Sequence, residues 1–402
     1  MDAEGIGRTI AKLRKKKGFT QAELAEKLHL SDKTVSKWES GAGYPGITQL
    51  PELARIFGVS VDYILSAKMR GITVAGSMLV DLVKTVDCYP QRGMLAGISE
   101  VSRAVGGCAP NTAIDLARID STMHISTLGM VGDDDHGRYI INQFARYGID
   151  TRGIKVNSRS QTGFSDVMSI SEGERTIFHC RGANSEFSPR DIALDMLSCR
   201  ILHIGYLLLL DEFDKPDPQY GTVMARFLHD VQQRGIKTSV DAVSNSTGNF
   251  ARVVLPALKY CDYVIVNEIE SCLIWNILPR DSEGRLIPQN IQRAMQGMID
   301  AGVRDKVIVH SKEQSFCLTG RGEFVSVPSL KIPSGEIKGS VGAGDAFCAG
   351  CLYGIYNDMG IKEMLEFASG AAASSLFADN SVDGVRSRDE IEQMLRQYPK
   401  QK

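Results

Sequence analysis

The sequence predicts two kinds of fold in one chain, an all-α helix-turn-helix domain followed by a large α/β domain with a mostly parallel sheet. Up to residue 66, apolar residues recur at helical spacing in short segments separated by turns. From Gly71 onward, β-branched runs alternate with helical segments, a pattern typical of a parallel sheet flanked by helices. A chain of 402 residues is long enough for two such domains, which we place at 1–68 and 71–399.

The composition is that of a water-soluble globular protein. Hydrophobic residues make up 43% of the chain and charged residues 23%, and no stretch approaches the roughly 20 apolar residues of a membrane span. The basic residues near the N-terminus are not followed by an apolar segment, so we expect no signal peptide. Nine scattered cysteines in a chain of this size indicate reduced thiols. We therefore expect a cytoplasmic protein without a membrane partner.

The net charge of −2 hides an asymmetry between the two domains. Residues 1–70 carry 12 Lys and Arg against 8 Asp and Glu, whereas the remaining residues carry 34 against 40. A small basic domain joined to a larger acidic one predicts two different partners.

Short amphipathic helices make up the N-terminal domain. Thr20 followed by Glu23 is a capping-box sequence at the start of one helix, and Ser31 can cap the next. Val35 and Trp38 share the inward face of that next helix, which leaves polar side chains outward near its N-terminus. Two short helices joined by a tight turn in this way predict a helix-turn-helix.

Over about its first 65 residues the chain closely resembles the Cro/XRE family of DNA-binding domains. The resemblance rests on Thr20-Gln21-x-x-Leu24-Ala25 and on Val35-Ser36-x-Trp38-Glu39-x-Gly41. It implies binding of double-stranded DNA through residues 1–68, with five side chains toward the DNA: Gln21, Lys33, Thr34, Ser36 and Lys37. Such domains read two half-sites about 34 Å apart as dimers, so we expect a homodimer. A helical bundle used only for protein contacts is the alternative.

Strands and helices alternate through the large domain. Strand patterns occur at 72–74, 124–131, 201–210, 237–243, 263–266 and 307–309, and helical patterns between them at 111–119, 137–147, 221–233 and 291–301. Two polar β ribbons, 83–104 and 162–180, interrupt this order, the second around a turn motif at 171–174. They predict a small side sheet that acts as a lid over the site or as a dimer clasp.

Residues 339–348 contain the motif most indicative of function. Three small residues, Gly342, Ala343 and Gly344, lead into Asp345 and a helical run to about residue 356. Bare N–H groups and the helix dipole favour a phosphate there, which makes the small residues a candidate anion hole. A carboxylate beside that anion can take the proton of an attacking hydroxyl, so Asp345 is the candidate catalytic base. A glycine-rich turn with Asp345 as a helix cap is the alternative.

Other conspicuous side chains are expected to be structural. Cys348 and Cys351 lie one helical turn apart and are interpreted as small core residues. The acidic run 133–135 predicts a solvated turn, with Asp133 capping the next helix. Three histidines lack the spacing of metal ligands: His136, His179 and His203.

From residue 71 to about 397, the chain resembles the PfkB, or ribokinase-like, family of carbohydrate kinases. Six motifs agree in order: Gly76-Ser77 with Asp81, Gly106-Gly107-Cys108-Ala109-Pro110-Asn111, Gly129-Met130-Val131-Gly132-Asp133 with Gly137, Gly182-Ala183-Asn184, Asn267-Glu268-Ile269-Glu270 and Gly342-Ala343-Gly344-Asp345. The resemblance implies a ribokinase-like fold with a small β lid, and transfer of a phosphoryl group from ATP to a sugar hydroxyl.

The resemblance also implies roles by position. Asp345 would be the base, and Gly342 to Gly344 would hold the γ-phosphate. Asn267 and Glu270 would act around Mg²⁺, the acid through water. Sugar hydroxyls would contact Asp81, Gly106, Gly107 and Asn111. The residue types by themselves also allow a loop acid at Asp81, a plain turn at the glycine pair and a solvated helix residue at Glu270.

Two positions depart from the family pattern. Gly339-Ser340 stands where the last motif begins Asp-Thr, and the lost carboxylate puts a monovalent-cation site in doubt. Residues 310–313, His-Ser-Lys-Glu, replace a Thr/Lys-x-Gly turn against the nucleotide. Two hypotheses follow: an active sugar kinase linked to transcriptional control, or a regulator that senses a sugar or sugar phosphate with a weak or inactive kinase domain. The acceptor itself stays open, nucleosides and sugar acids included.

Overall fold

A computed structural model describes residues 3–59, 61–65, 70–170, 175–194, 197–243 and 250–401. These residues fall into two compact units. The first contains the described residues up to Arg70 and short segments at 197–200 and 233–236, and the second contains the rest. In the part of the chain that the structure describes, every helix is too short or too polar to cross a bilayer.

The first unit is helical throughout its main segment. Its helices are α1 (Ala3–Lys16), α2 (Gln21–Lys27), α3 (Asp32–Glu39), α4 (Gln49–Phe57) and α5 (Val61–Leu65). Both predicted caps are present, since the Glu23 N–H donates to Thr20 Oγ1 at 3.2 Å and the Thr34 N–H donates to Ser31 Oγ at 3.2 Å. Val35 and Trp38 are buried as predicted, in a core shared by all five helices.

The second unit contains the remaining elements. Its strands are β1 (Ile72–Ala75), β2 (Leu79–Val86), β3 (Ile98–Gly106), β4 (Ile125–Gly132), β5 (Asp150–Asn157), β6 (Gly163–Ser169), β7 (Arg175–Cys180), β8 (Ile201–Leu207), β9 (Pro216–Asp217), β10 (Gly221–Thr222), β11 (Lys237–Ala242), β12 (Tyr263–Asn267), β13 (Lys306–His310), β14 (Gln314–Thr319) and β15 (Phe324–Pro328). Its helices are α6 (Cys108–Ile119), α7 (Asp135–Arg146), α8 (Val223–Gln232), α9 (Phe250–Leu258), α10 (Glu268–Leu273), α11 (Pro288–Asp300), α12 (Ala343–Tyr356), α13 (Ile361–Ser375) and α14 (Arg388–Gln397).

One large sheet organises the second unit. Among the described residues, nine strands pair in the order β15-β14-β13-β12-β11-β8-β1-β4-β5. All pairs from β13 to β5 are parallel, while β14 and β15 add an antiparallel edge. Successive side chains of β1, β8 and β12 are buried almost throughout, so both faces of the sheet are covered. The predicted fold class is confirmed.

A second, smaller sheet contains the two polar ribbons. In the described part of the chain its strands pair in the order β3-β2-β6-β7, with β2 parallel to β6 and the outer pairs antiparallel. The small side sheet that the ribbons predicted is therefore present. The turn motif at 171–174 lies outside the described residues.

One helix cap was predicted one residue too early. Asp134, not Asp133, caps α7, because its Oδ1 accepts a hydrogen bond from the Gly137 N–H at 2.8 Å. Its Oδ2 also accepts one from the Thr162 N–H at 2.7 Å, a contact between distant parts of the chain. Asp133 is exposed and pairs with Arg138. The contact with Thr162 selects Asp134 from the three consecutive acids.

The strand predicted at 201–210 ends early, at Leu207. Tyr206 and Leu208 have φ values of 59° and 83°, in the left-handed region that extended strands do not use. Non-glycine residues held there concentrate at functional sites. The irregular end of β8 therefore marks a position of interest in the site described next.

Candidate functional site

The candidate catalytic base, Asp345, lies in the first turn of α12. Gly342 is the N-cap of this helix with a φ of 81°, and a Cβ at this position would lie 2.4 Å from the Ser381 carbonyl oxygen. Glycine is therefore required where the chain enters the helix. Ala343, Gly344 and Asp345 follow as the first helical residues, where backbone N–H groups lack the intrahelical acceptors of later turns. The Ala343 N–H makes one long contact, 3.4 Å, with the Ser340 carbonyl oxygen. The predicted anion hole and base thus share one helix N-terminus.

Asp345 is buried and held by two side chains from distant segments. Asn111 Nδ2 donates a hydrogen bond to Asp345 Oδ2 at 2.8 Å. The Tyr206 hydroxyl donates to both carboxylate oxygens, at 3.2 and 3.1 Å. The structure thus places Asn111, predicted to bind substrate, directly against the candidate base.

Burial dominates the electrostatics of Asp345 and raises its pKa to about 7. Repulsion from Asp241 and Asp81 acts in the same direction, and the hydrogen bonds from Asn111 and Tyr206 oppose it. Near neutral pH, Asp345 therefore exchanges readily between its acid and its base form, as a general base requires.

Tyr206 and Asp241 are site residues that the sequence reasoning missed. Tyr206 lies at the carboxyl end of β8 and Asp241 at that of β11, so adjacent parallel strands bring them together. The Tyr206 N–H donates to Asp241 Oδ1. The strands predicted at 201–210 and 237–243 were the available indication, because ligands of parallel sheets bind at the carboxyl ends of the strands.

A cavity with about 230 Å³ of space for water-sized molecules opens at this edge. Its lining combines the start of α12 with the ends of β8, β11, β12 and β13; the polar members are Tyr206, Asp241, Asn267, Glu270, His310 and Asp345. Gly342 and Gly344 complete the wall beside Asp345. The predicted base, anion-hole glycines and metal-proximal residues thus meet in one cavity.

Asn267 and Glu270 form a reciprocal cap on α10. The Glu270 N–H donates to Asn267 Oδ1 at 2.8 Å, and the Asn267 N–H donates to Glu270 Oε2 at 3.0 Å. This capping box explains the three-residue spacing of the motif by local structure. Because both residues also line the cavity, they are the residues that could hold a hydrated Mg²⁺, whose preferred ligands are oxygens.

The predicted sugar contacts Asp81, Gly106 and Gly107 lie where β2 and β3 join the main domain. Burial raises the pKa of Asp81 to about 6, while a hydrogen bond with Ser165 opposes the shift. A Cβ on Gly106 would lie 2.3 Å from Asp81 Oδ2, and one on Gly107 would lie 2.5 Å from the Ser77 carbonyl oxygen. Glycine is therefore required at Gly107, where φ is 87° and the neighbour is backbone, whereas a Cβ at Gly106 would displace the Asp81 carboxylate. None of the three lines the cavity beside Asp345.

A second cavity adjoins the first and shares His310 and Gly344 with it. It has about 320 Å³ of space for water-sized molecules and is lined by residues of the departing segment 310–313 and by Ser340, Ala343 and Phe347. The His310 ring packs on Phe347 with centroids 4.7 Å apart. Burial lowers the pKa of His310 to about 4, so its imidazole is uncharged at neutral pH. The side chain that both cavities share is therefore neutral.

Gly339, which stands where the family pattern has Asp, lies in a closely packed segment of backbone. A Cβ at Gly339 would lie 2.9 Å from the Ala378 carbonyl oxygen, and the Lys338 N–H donates to the Leu376 carbonyl at 2.8 Å. The backbone at residues 338–339 thus packs closely against the backbone at residues 376–378. A larger side chain at residue 339 would require one of these two segments to move.

The candidate DNA interface lies on α2 and α3. Lys33, Ser36 and Lys37 are exposed on α3, and Thr34 is half-buried, with its hydroxyl 2.9 Å from that of Ser31. Gln21 Nε2 donates to Glu39 Oε2 at 2.8 Å, which fixes its side chain at the start of α2.

A buried ion pair supports this interface. Arg14 donates from Nε and Nη2 to the two oxygens of Glu39, at 2.6 and 2.9 Å. Burial acts to raise the pKa of Glu39, but the hydrogen bonds from Arg14 and Gln21 outweigh it and lower that pKa. Glu39 thus joins α1, α2 and α3 through one carboxylate.

These features define a small-molecule kinase domain joined to a helix-turn-helix unit. The chain belongs to the pfkB family of carbohydrate kinases, whose family model matches residues 69–385, and a helix-turn-helix model matches residues 10–64. Both recognised families are thereby confirmed, and the chain is a carbohydrate kinase by family.

Individual relatives agree with the family assignment. The chain is 24% identical to a ribokinase of Bacillus subtilis over 81% of this chain and 100% of the relative. It is 25% identical to a 5-dehydro-2-deoxygluconokinase of Geobacillus kaustophilus over 74% of this chain and 86% of the relative.

Solved structures share the fold. Ribokinase of Arabidopsis thaliana, complexed with ribose and ATP, matches with a TM-score of 0.67 at 20% identity, over 82% of this chain and 99% of that one. A putative ribokinase II of E. coli, in complex with ATP and Mg²⁺, matches with a TM-score of 0.66 at 19% identity, over 82% of this chain and 100% of that one.

Proposed function

We propose that this protein transfers a phosphoryl group from ATP to a hydroxyl of a sugar, and that its N-terminal unit binds double-stranded DNA to control transcription linked to that sugar. The observation that carries the kinase proposal is the placement of Asp345. It is buried, has a pKa of about 7, and stands beside the glycine N-cap of α12 in a cavity.

The residues of the cavity suit the steps of the transfer. The acceptor hydroxyl gives its proton to Asp345 as its oxygen forms a bond to the γ-phosphorus, and the bond to the leaving β-phosphate oxygen breaks. Negative charge on the transferring group is stabilised by the N–H groups that follow Gly342. Asn111 and Tyr206 orient the carboxylate through their hydrogen bonds.

The two adjoining cavities suit two substrates. We place the acceptor beside Asp345 and the nucleotide in the second cavity, which adjoins the first at His310 and Gly344. ATP as the donor is supported by two solved structures of this fold that are complexed with it. Asn267 and Glu270 would hold a hydrated Mg²⁺, which supplies positive charge to the phosphates when bound. Asp81, Gly106 and Gly107 would meet the sugar hydroxyls. With Gly339 packed against Ala378, we propose no monovalent-cation site.

The test is ADP formation by the purified protein with ATP, Mg²⁺ and a panel of sugars, sugar acids and nucleosides. Turnover on one acceptor supports the kinase and identifies its substrate. The absence of turnover on every acceptor, combined with thermal stabilisation by one sugar or sugar phosphate, would instead establish the alternative, a sensing regulator with an inactive kinase domain. The missing carboxylate at Gly339 is the observation that favours this alternative.

The rate should rise with pH through about 7 and then level, because only ionised Asp345 can accept the proton. Tyr206→Phe removes a hydrogen bond that favours the ionised form, so the midpoint of its profile should move to higher pH. Profiles of kcat measure this shift. Tyr147→Phe, which removes a hydroxyl that accepts a hydrogen bond from Arg118, is the matched control and should keep the midpoint of the unmodified protein. An unmoved midpoint in Tyr206→Phe would contradict this assignment.

The DNA-binding proposal rests on the exposed polar face of α3, with Lys33, Ser36 and Lys37, and on Gln21 and Thr34 beside it. Binding to DNA upstream of its own gene, measured by gel shift at several salt concentrations, tests it. No binding at any salt concentration would favour a unit used only for protein contacts, and salt-independent binding would contradict the proposed phosphate contacts.

Replacing both Lys33 and Lys37 by Ala should weaken DNA binding and reduce the slope of log K against log salt by about 2, roughly 0.9 for each phosphate contact. Fluorescence anisotropy at four or more salt concentrations gives the slope. Lys362→Ala, the control, removes one exposed lysine from α13 and should leave the slope unchanged. An equal slope in the double variant and the unmodified protein would show that these lysines do not contact phosphates.

We also propose a homodimer, because paired half-sites require two helix-turn-helix units. The edge strands of the side sheet carry exposed apolar side chains that suit such contact: Ile98, Val101, Ile177 and Phe178. Sedimentation of the full chain as a dimer would support this proposal, and a monomer at micromolar concentration would refute it.

A further inference from the structure

Three buried side chains at the inner wall of the cavity form a cluster to which the kinase proposal assigns no ligand. His203 lies on β8, Asp241 on β11 and Cys348 on α12, and one donor atom of each lies within 4.8 Å of the others. His203 is 0% exposed and Cys348 is 2% exposed. Nothing in their sequence spacing indicates this, since 38 and 107 residues separate them along the chain. The fold alone brings imidazole, carboxylate and thiol together.

The contact of His203 with Asp241 is longer than a good N–H···O hydrogen bond, and its contact with Cys348 is within the range of a hydrogen bond to sulfur. His203 Nε2 lies 3.5 Å from Asp241 Oδ2 and 3.6 Å from Cys348 Sγ. Donor atoms about 2.0 to 2.3 Å from one tetrahedral zinc ion stand about 3.3 to 3.6 Å apart, so these two edges have the length that a shared ion requires.

The orientation of His203 excludes a nucleophilic triad. In a triad the imidazole contacts the nucleophile through one ring nitrogen and the acid through the other. Here Asp241 Oδ2 and Cys348 Sγ both lie nearest to the same ring nitrogen of His203, Nε2. The other nitrogen, Nδ1, lies 3.0 Å from Ser239 Oγ. Two potential ligands that converge on one ring nitrogen instead suit an ion placed between them.

The surroundings supply outer contacts typical of metal sites. Ser239 Oγ is positioned to hold the second nitrogen of His203, and the Tyr206 N–H donates to the other oxygen of Asp241. A Cβ on Gly205 would lie 2.8 Å from Asp241 Oδ1, so glycine leaves the room that this carboxylate occupies. Asp241 and Cys348 also line the cavity, which gives an ion a path inward and leaves a coordination position open.

We propose that His203, Asp241 and Cys348 form a site for a zinc-class divalent cation, separate from the Mg²⁺ position at Asn267 and Glu270. Nitrogen and thiolate donors select such ions over Mg²⁺, which prefers oxygen. Binding releases the thiol proton of Cys348 and places the ion at the floor of the acceptor cavity. The proposal does not depend on kinase activity.

The test uses Co²⁺ as a spectroscopic probe on the chelator-treated full-length protein in millimolar Mg²⁺. We expect one Co²⁺ per chain, with tetrahedral visible absorption and a thiolate-to-cobalt charge-transfer band, both displaced by Zn²⁺. Cys348→Ala should remove the charge-transfer band. Cys351→Ala, one turn further along the same helix and also buried, should keep it, as should Asn267→Ala in the proposed Mg²⁺ region.

Ser239→Ala tests the same site should Cys348→Ala fail to fold. Ser239→Ala leaves all three ligands in place and removes the contact to His203 Nδ1, so it should weaken Co²⁺ binding about 10- to 100-fold while keeping the band at saturation. No charge-transfer band at stoichiometric Co²⁺, or a band that persists in folded Cys348→Ala, would overturn the proposal. The cobalt band does not depend on kinase activity. A protein that phosphorylates none of the acceptors should still show it.

Discussion

Asp345→Asn should lower kcat for phosphoryl transfer by about 10²- to 10⁴-fold, the range that general base catalysis supplies. The amide is nearly isosteric, so acceptor and nucleotide should still bind, but it cannot take the hydroxyl proton. The measurement is steady-state ADP formation on the acceptor that the panel identifies. KM should change little, because the carboxylate contributes mainly to the transition state.

The same variant should fold as well as the unmodified protein. Burial raises the pKa of Asp345 to about 7, so its ionised form is costly, and a neutral amide removes that cost. Its melting temperature should therefore be equal or higher at pH 8. Asp133→Asn makes the same chemical change at an exposed acid outside the cavity and should keep full activity. Retention of more than about a tenth of the rate in Asp345→Asn would fall outside the expected range and refute the assigned base.

Glu39→Ala should destabilise the helix-turn-helix unit by about 3 kcal/mol, the lower end of the cost of breaking a buried ion pair. The side chains of Arg14 and Glu39 are only 10% and 8% exposed, so truncation leaves a largely buried guanidinium without its carboxylate and with only the Phe19 carbonyl as an acceptor among the described residues. Gln21 loses its acceptor at the same time. DNA binding should fall together with stability, since the start of α2 is no longer tied to α3.

Amide hydrogen exchange on the full-length chain measures this locally. Exchange in α2 and α3 should accelerate about a hundredfold, while exchange in the large sheet should not change. Glu52→Ala is the matched control, because Glu52 pairs with Arg55 on the exposed side of α4 and such pairs contribute less than about 1 kcal/mol. Equal exchange rates in the two variants would show that the buried pair does not support the unit.

Features that depend on neighbouring residues were predictable from the sequence. The capping box of Thr20 and Glu23 was confirmed, and the cap at Ser31 is also in place. The helix at the Asp345 motif was also predicted, but it begins at Ala343, three residues before the predicted run from Ala346. The order of strands and helices was likewise visible, because buried parallel strands are short β-branched runs between amphipathic segments.

Features that depend on which segments meet were not predictable. Asn111 and Tyr206 reach Asp345 across 234 and 139 residues. The strand after Ile201 was predicted three residues too long, because nothing in its apolar run shows the left-handed turn at Tyr206. Asp134 rather than Asp133 caps α7 because Thr162 approaches it, and three consecutive acids look alike without that contact.

Local spacing and residue type are enough to identify the two families, the fold class and the motif containing Asp345. The environment of these residues is visible only in the folded chain: the pKa of Asp345, the packing of Gly339 and the approach of Cys348 to His203. Burial, charge repulsion and side-chain contacts act through space, between residues far apart in the chain. Parallel pairing of β8 with β11, and the packing of α12 near their ends, set those distances.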